Sequence, residues 1–256
     1  MLKEERQEKI IRFLQERDYC SAALLSKTFY ASLPTIRRDL AELEKKGFIN
    51  RCRGGAILLD NNRTDIPFPF RLSTHAPEKN QLCLLASTLV RDGDVLFIDE
   101  SSTTQHMVEW IRHRQNLTVI TNSIAVCNML YQTDMKTYCT GGCLQNSSCS
   151  FVGRQAERYV TEFNVDLVFF SASSLNAEGL ITDYSEEGTH LRQAVFQHAR
   201  KKVFLCDHSK LGKNAAYKVC TLHDLDYLVT DFNEGTDFST FPQVYTKNGC
   251  YLFSKS

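Results

Sequence analysis

The chain has 256 residues, 43% of them hydrophobic, and its 30 basic and 30 acidic residues cancel to a formal net charge of zero. This length and apolar content allow one large domain and a small one, and they exclude an intrinsically disordered chain. No apolar run approaches the roughly 20 residues that span a bilayer, and the charged start is no secretory signal. We therefore expect a cytoplasmic protein without a membrane partner.

The ten cysteines do not indicate a disulfide scaffold, because such scaffolds belong to short secreted chains. No C-x-x-C pair occurs, and the cluster of Cys139, Cys143 and Cys149 has no histidine at zinc-ligand spacing. We expect reduced thiols that serve as small apolar side chains, with no metal site and no cofactor. A redox or metal role for the cluster is the alternative.

The zero net charge conceals an asymmetry along the chain. Residues 1–56 carry twelve Lys/Arg against eight Asp/Glu, so this stretch has a charge of +4 and the remainder −4. A basic N-terminal module ahead of an acidic body is typical of a DNA reader attached to a domain with a different partner.

The first 58 residues predict three helices followed by two short strands. An apolar stripe at residues 10–14 marks the first helix, and Ser21 caps the second. The segments 48–53 and 56–58 read as strands on either side of Gly54-Gly55, which predicts a wing. This order of elements indicates a winged helix-turn-helix domain.

The third helix presents arginine to solvent. Ile36, Leu40 and Leu43 lie at i, i+4 and i+7 and form one apolar stripe. At about 100° per residue, Arg38 points away from this stripe and Arg37 lies at its flank. Such a helix is either a DNA-reading helix or an ordinary solvated face.

Several features of this segment occur together: Ser32 as N-cap, Pro34 in the first turn, Thr35–Leu40, Leu43-Glu44, Gly47, Arg51 and Gly54–Ala56. They resemble the DNA-binding signature of the DeoR family of bacterial sugar-responsive transcriptional regulators. The resemblance implies double-stranded operator DNA as a partner. The candidate DNA-binding residues are Ser32, Pro34, Thr35, Arg37, Arg38, Arg51 and Arg53.

The periodic pattern lapses between residues 59 and 77. Asp60–Asn62 favours a turn, and the prolines of Ile66–Phe70 argue against a continuing helix. We therefore predict a DNA-binding domain at 1–58, a linker at 59–77 and a second domain at 78–256.

From residue 78 onward, helical patterns alternate with short apolar runs, which predicts an α/β domain with a mainly parallel sheet. Ligands of such sheets bind beyond the carboxyl ends of the strands. The predicted strands are Val95–Ile98, Leu117–Thr121, Lys136–Thr140, Leu167–Phe170, Val203–Cys206 and Tyr227–Thr230.

The first two of these strands run into hydroxyl-rich segments, each placed just before a predicted helix. These are Asp99–Thr104 and Asn122-Ser123. Hydroxyls and free backbone N–H groups at a helix start form an anion site, so a phosphate fits. The alternative is that Ser102 and Ser123 are ordinary N-caps.

The same segments extend the resemblance, together with Gly141-Gly142, Gly179–Thr182 and Asp207 with Ser209-Lys210. They resemble the sensor domain of the DeoR family, whose fold is similar to ribose-5-phosphate isomerase and coenzyme A transferase sheets. The resemblance implies a phosphorylated sugar as effector and a homo-oligomer, at least a dimer. The candidate effector-binding residues are Asp99, Ser101, Ser102, Thr103, Thr121, Asn122, Ser123 and Lys210.

Four positions depart from the family's usual sensor pattern, namely Ser101, Ser171, Ser174 and Arg192. Lys210 has a second interpretation as a surface charge. The leading hypothesis is a non-enzymatic repressor of a carbohydrate-metabolism operon that a sugar phosphate releases from its operator. The alternative is an active sugar-phosphate isomerase carrying a DNA-binding arm, with Asp99, Glu100 and Lys210 for acid/base work. Redox sensing through Cys139 and Cys143 is a third hypothesis.

Overall fold

A computed structural model describes residues 3–15, 17, 19–52, 54–58 and 68–255. The chain divides into two compact units, Met1–Phe70 and Arg71–Ser256. Within the described ranges, every helix is too short or too polar to cross a bilayer.

The first unit is a winged helix-turn-helix, as predicted. Its elements are α1 (Lys3–Gln15), β1 (Cys20–Ser21), α2 (Ala22–Thr28), α3 (Leu33–Lys45), β2 (Ile49–Cys52) and β3 (Gly55–Leu58). Strands β2 and β3 form the antiparallel wing, and β1 joins β3 to make a third strand that the sequence did not indicate. Gly55 permits this close pairing, because a Cβ there would lie 2.1 Å from the carbonyl oxygen of Cys20.

The third helix, α3, begins and ends where its capping residues predict. Ser32 is the N-cap, and its Oγ accepts a hydrogen bond from the N–H of Thr35 at 3.3 Å. At the other end, Gly47 has a φ of +77° and its N–H donates to the carbonyl of Glu44 at 2.9 Å. The N–H of Phe48 donates to the carbonyl of Leu43, which completes a Schellman motif.

A buried ion pair joins α1 to α3 inside the first unit. The guanidinium of Arg6 holds the carboxylate of Asp39 through Nε at 2.6 Å and through Nη2 at 3.2 Å. Asp39 is fully buried beside the apolar stripe of Ile36, Leu40 and Leu43. The helix therefore keeps one face in the core and leaves Arg37 and Arg38 on the exposed face.

The remaining helices are α4 (Phe68–Ser73), α5 (Ala76–Ala86), α6 (Met107–Ile111), α7 (Ile124–Leu130), α8 (Arg154–Val160) and α9 (Glu186–Phe196). Helix α4 differs from the prediction, which placed a linker without helix over 59–77. Pro69 is its second residue, where a backbone N–H has no partner within the helix, so proline is tolerated there. Helix α5 likewise begins inside the predicted linker, at Ala76. Residues 59–67 of that prediction lie outside the described residues.

Thirteen described strands follow in the second unit. They are β4 (Val95–Ile98), β5 (Thr118–Thr121), β6 (Lys136–Cys139), β7 (Cys143–Gln145), β8 (Ser150–Val152), β9 (Val165–Phe170), β10 (Ser174–Leu175), β11 (Leu180–Asp183), β12 (Ala199–Cys206), β13 (Tyr217–Thr221), β14 (Tyr227–Thr230), β15 (Gln243–Lys247) and β16 (Cys250–Ser254).

The main sheet has eight strands in the order β15-β16-β14-β12-β9-β4-β5-β6. The six strands from β14 to β6 are parallel, and β16 and β15 continue the sheet antiparallel. This confirms the predicted α/β domain with a mainly parallel sheet. Leu96 and Ile98 belong to the core on one face, and Phe97 belongs to the core on the other. The carboxyl ends of all six parallel strands therefore meet at one edge.

Candidate functional site

The segment that follows β4 is buried and folds around the carboxylate of Asp99. Its Oδ1 accepts hydrogen bonds from the N–H of Ser101 at 3.0 Å and from the hydroxyl of Thr104 at 2.6 Å. Its Oδ2 accepts one from the N–H of Ser171, which follows β9, at 3.2 Å. The Oγ of Ser101 accepts from the N–H of Thr104 at 3.1 Å. Asp99 and Ser101 thus shape the loop that carries Ser102 and Thr103.

Arg192, on α9, ties this loop to the sheet through three carboxylates. Its Nε donates to Asp99 at 2.9 Å, its Nη1 to Asp183 at 3.0 Å and its Nη2 to Glu100 at 3.0 Å. Burial lowers the pKa of Arg192, but the three carboxylates outweigh burial and raise this pKa above its ordinary value. Burial also raises the pKa of Glu100. The sequence did not indicate this network.

Lys210 reaches the same loop from the segment after β12. Its Nζ donates to the hydroxyl of Thr103 at 3.1 Å and to the hydroxyl of Ser171 at 2.5 Å, and it lies 3.5 Å from Oδ2 of Asp207. Burial raises the pKa of Asp207. The charge of Lys210 and the hydrogen bond from Ser209 outweigh burial and lower this pKa to about 2. Lys210 is therefore part of the loop's hydrogen-bond network, and its interpretation as a surface charge does not hold.

Lys79, on α5, is a second cation at this loop that the sequence analysis missed. It is 4% exposed, and its Nζ donates to Oγ of Ser102 at 3.1 Å and to the backbone carbonyl of Arg71. Burial, with help from the charge of Lys210, lowers the pKa of Lys79 to about 7. Lys79, Lys210, Ser102, Thr103 and Ser171 together form what we call the anion site.

The anion site has the chemistry of an anion receptor. The side-chain nitrogens of Lys79 and Lys210 reach two successive hydroxyls of one loop, and the charge of Lys210 contributes to the lowered pKa of Lys79. A bound dianion would relieve that repulsion and would accept hydrogen bonds from the ammonium and hydroxyl groups.

In the segment after β5, the hydroxyls of Thr121 and Ser123 make hydrogen bonds within the protein. The hydroxyl of Thr121 donates to the carbonyl of Ile98 at 2.6 Å and accepts from the N–H of Ser123 at 3.0 Å. The Oγ of Ser123 caps α7 by accepting from the N–H of Val126 at 3.3 Å. For Ser123, the geometry is thus the N-cap that was the alternative interpretation.

Asn122 differs from its two neighbours. Its amide nitrogen donates to Glu100 at 2.8 Å and to the carbonyl of Phe151 at 3.2 Å, which fixes the orientation of the amide. Its Oδ1 is buried and has no hydrogen-bond donor among the described residues. Buried acceptors are almost always paired with a donor, and the described residues supply none for this oxygen. The hydroxyl of a ligand could serve as that donor.

The exposed face of α3 is the candidate DNA interface of the first unit. Arg37 and Arg38 are exposed, and neither forms an ion pair within the described part of the chain. Pro34 is also exposed, and the hydroxyls of Ser32 and Thr35 lie 2.8 Å apart.

The wing carries Arg51, whose Nε donates to Glu44 at 2.7 Å. The hydrogen bonds from Arg51 lower the pKa of Glu44. Arg51 would therefore exchange one anionic partner for another when it meets a phosphate. The predicted contact Arg53 lies outside the described residues.

The chain has a winged helix-turn-helix unit followed by an α/β unit, and the anion site lies where the parallel strands of that second unit end. This is the architecture of a ligand-sensing transcriptional regulator. Residues 6–62 match the DeoR-like helix-turn-helix domain, and residues 74–232 match the DeoR C terminal sensor domain. The chain therefore belongs to the DeoR family of DNA-binding transcriptional regulators.

Relatives match along nearly the whole chain. The transcriptional repressor AccR of Agrobacterium fabrum is 28% identical over 95% of this chain and 95% of that protein. The repressor GlcR of Bacillus subtilis is 31% identical over 90% of this chain and 89% of that protein. The glycerol-3-phosphate regulon repressor of Escherichia coli is 26% identical over 90% of this chain and 92% of that protein. Among solved structures, a ribose 5-phosphate isomerase of Methanocaldococcus jannaschii has a TM-score of 0.41 and 19% identity, covering 54% of this chain and 55% of that chain.

Proposed function

We propose that this protein represses a carbohydrate-metabolism operon and leaves its operator when a phosphorylated sugar binds to the second unit, without catalysing a reaction. The relatives named as repressors of glycerol-3-phosphate and lactose phosphotransferase genes support the assignment. The observation that carries it is the pair of lysines, Lys79 and Lys210, on the successive hydroxyls of Ser102 and Thr103.

In this proposal the anion site binds the phosphate, and the unpaired Oδ1 of Asn122 accepts a hydrogen bond from a sugar hydroxyl. Asp99 and Ser101 act as positioning residues, because their polar atoms are already engaged within the loop. Thr121 and Ser123 likewise position Asn122.

The isomerase alternative has less support from the same geometry. Proton transfer at a sugar carbon needs a carboxylate that is free to accept a proton. Asp99 and Glu100 are both held by Arg192, and Lys210 is held by Asp207 and two hydroxyls. These contacts suit a binding site better than an acid/base pair.

Operator release measured by fluorescence anisotropy tests the proposal. The DNA is the region upstream of the protein's own gene, and the titrants are pentose, hexose and triose phosphates beside their unphosphorylated parents. We expect one phosphorylated compound to act at a concentration at least about tenfold below that of its parent. Equal potency would refute the phosphate site, and turnover of any titrant would restore the isomerase alternative.

We also propose that the protein acts as at least a dimer. Two helix-turn-helix units are needed to read two operator half-sites. Sedimentation velocity of the free protein and of its operator complex should show two or more chains per DNA, and one chain per DNA would contradict this.

The exposed arginine of α3 gives a first prediction about DNA specificity. If Arg38 contacts a base edge, Arg38→Ala should weaken operator binding by about 1–3 kcal/mol and relax specificity at one base pair. Random-sequence DNA should be affected much less. Arg12→Ala is the matched control, because Arg12 is an exposed arginine on α1 that pairs with Glu8. Equal losses on operator and random DNA would assign Arg38 to the phosphate backbone instead.

The buried lysine gives a prediction about pH. With a pKa of about 7, Lys79 is largely neutral above neutral pH in the free protein, and a bound phosphate must raise this pKa. Binding then takes up a proton, so effector affinity should fall as pH rises from about 7 to about 9, by at most a decade per unit. The phosphate adds little here, because its second pKa is about 6.

Calorimetric titrations of the best effector across this pH range measure the slope. Lys79→Met should bind more weakly but without the pH dependence. His208→Asn is the control, because His208 is a second titratable group of this unit, and its hydrogen bond to Asp231 raises its pKa above the ordinary value for histidine. A slope that survives in Lys79→Met and vanishes in His208→Asn would contradict the role given to Lys79.

A further inference from the structure

Tyr30 is an aromatic residue that stands free of the protein in the turn between α2 and α3. It is 97% exposed, and its side chain has no hydrogen bond and no ring contact within the described ranges. Single apolar residues on a surface are common and by themselves need no explanation. The packing of the first unit nevertheless gives no reason for a large side chain at this position.

The backbone of Tyr30 is in the left-handed region, with a φ of +51°. A bulky residue is disfavoured there, because its Cβ crowds the backbone, whereas glycine adopts this conformation freely. Among the described residues of the first unit, the others with positive φ are the glycines Gly47 and Gly54. A tyrosine therefore stands where glycine would be less strained, and strain of this kind is concentrated at functional sites.

Two hydrogen bonds fix the turn in this conformation. The Oγ of Ser26 donates to the carbonyl of Ala31 at 2.6 Å, and the N–H of Ala31 donates to the carbonyl of Ser26 at 3.2 Å. Ser32, two residues after Tyr30, then caps α3. The phenol is thus presented from an ordered turn at the N-terminal end of α3, so little backbone ordering is required when a partner binds.

The N-terminal end of α3 is also the end that DNA would meet. In helix-turn-helix proteins the first residues of the reading helix contact base edges, and the preceding helix crosses the phosphate backbone. The turn between the two helices then lies beside the phosphates that border the groove. Residues 19–38 include Lys27, Arg37 and Arg38 and no acidic residue, so the charge of this segment is complementary to DNA.

We infer that Tyr30 is a further DNA-contact residue, whose phenol hydroxyl donates a hydrogen bond to a backbone phosphate at the edge of the major groove. The inference rests on the proposal that α3 reads the operator. Tyrosine is one of the uncharged side chains that contact phosphates, and such contacts position the protein without reading sequence. Because an uncharged donor releases no counterion, this contact should not change the salt dependence of binding.

Anisotropy titrations of the full chain on operator and random-sequence DNA, across a salt series, test the inference. Tyr30→Phe removes one hydroxyl and should weaken both complexes by about tenfold, with an unchanged slope of log affinity against log salt. Tyr131→Phe is the matched control, because Tyr131 is 82% exposed in the second unit, and it should bind as the unmodified protein does.

Unaltered binding by Tyr30→Phe, or a loss on the operator alone, would overturn the inference. The comparison with Arg38→Ala separates this failure from a failure of the proposed interface. If Arg38→Ala weakens operator binding and Tyr30→Phe does not, only the role of Tyr30 is wrong. If neither change weakens binding, the proposed interface on α3 is wrong as well.

Tyr30→Gly distinguishes a DNA contact from a structural role. Glycine relieves the left-handed strain, so the turn should open less often, and hydrogen exchange over residues 26–35 of the full chain should slow. DNA binding should nevertheless fall at least as far as in Tyr30→Phe. Faster exchange together with weaker binding would show that Tyr30 supports the turn instead of contacting DNA, and would overturn the inference.

Discussion

Lys210→Met should raise the concentration of sugar phosphate that half-releases the operator by about tenfold or more. Lys210 places a charged hydrogen-bond donor beside the loop that carries Ser102 and Thr103, where we propose that the phosphate binds. A hydrogen bond that involves a charged group contributes about 1.5–3 kcal/mol to binding. A loss of about 1.4 kcal/mol is one decade in affinity. Operator affinity without effector should stay near that of the unmodified protein, because α3 and the wing are untouched.

The matched control for this change lies three residues further along the chain. Lys213 is exposed, so Lys213→Met removes the same charge without reaching Thr103 or Ser171, and its release midpoint should be unchanged. Ser102→Ala with Thr103→Ala should act in the same direction as Lys210→Met. If Lys210→Met and Lys213→Met behave alike, long-range charge rather than the anion site governs the response. Circular dichroism of each variant distinguishes this from loss of the fold.

Arg192→Leu should destabilise the second unit by about 3–5 kcal/mol, the usual cost of removing one partner from a buried ion pair. The change leaves the carboxylates of Asp99, Glu100 and Asp183 without the guanidinium that holds all three. Since domains are stable by only about 5–15 kcal/mol in total, such a loss approaches unfolding. Urea denaturation followed by the fluorescence of Trp110 measures the effect.

Arg112→Leu serves as the control, because Arg112 makes a single exposed ion pair with Glu109 at 2.9 Å. Exposed pairs contribute at most about 1 kcal/mol, so this variant should unfold near the unmodified midpoint. Arg192→Lys should fall between the two, since lysine keeps the charge but cannot hold three carboxylates in one planar fork. An unchanged midpoint in Arg192→Leu would show that the network does not stabilise the fold.

Local patterns in the sequence were sufficient for the helix-turn-helix and for the parallel strands. The spacing of Ile36, Leu40 and Leu43 and the Ser32 cap depend only on neighbours along α3, and β4 has the predicted bounds Val95–Ile98. The hairpin of β15 and β16 was not predicted. All five residues of β16 are at least partly buried, whereas every residue of β15 is exposed, so neither shows a regular alternation.

The candidate site was only half predictable, because its charged partners come from distant segments. Lys79 is one polar residue on a helix, and such residues are normally solvated. Only the tertiary fold shows that its ammonium group donates a hydrogen bond to Ser102. Arg192 joins Asp99 across 93 positions of the chain. A serine before a helix has the same sequence pattern whether it caps the helix or binds an anion. The structure resolves this ambiguity for Ser123, which caps α7.

The most direct test of the central claim is a pair of linked affinities. Operator affinity is measured with and without saturating sugar phosphate, and sugar-phosphate affinity is measured with and without saturating operator DNA. If one chain couples the anion site to its DNA-binding unit, thermodynamic linkage requires the same factor in both experiments, expected at about 5–150-fold. We predict equal factors that exceed fivefold, as befits typical allosteric coupling. Tight binding of sugar phosphate with no change in operator affinity would contradict the account.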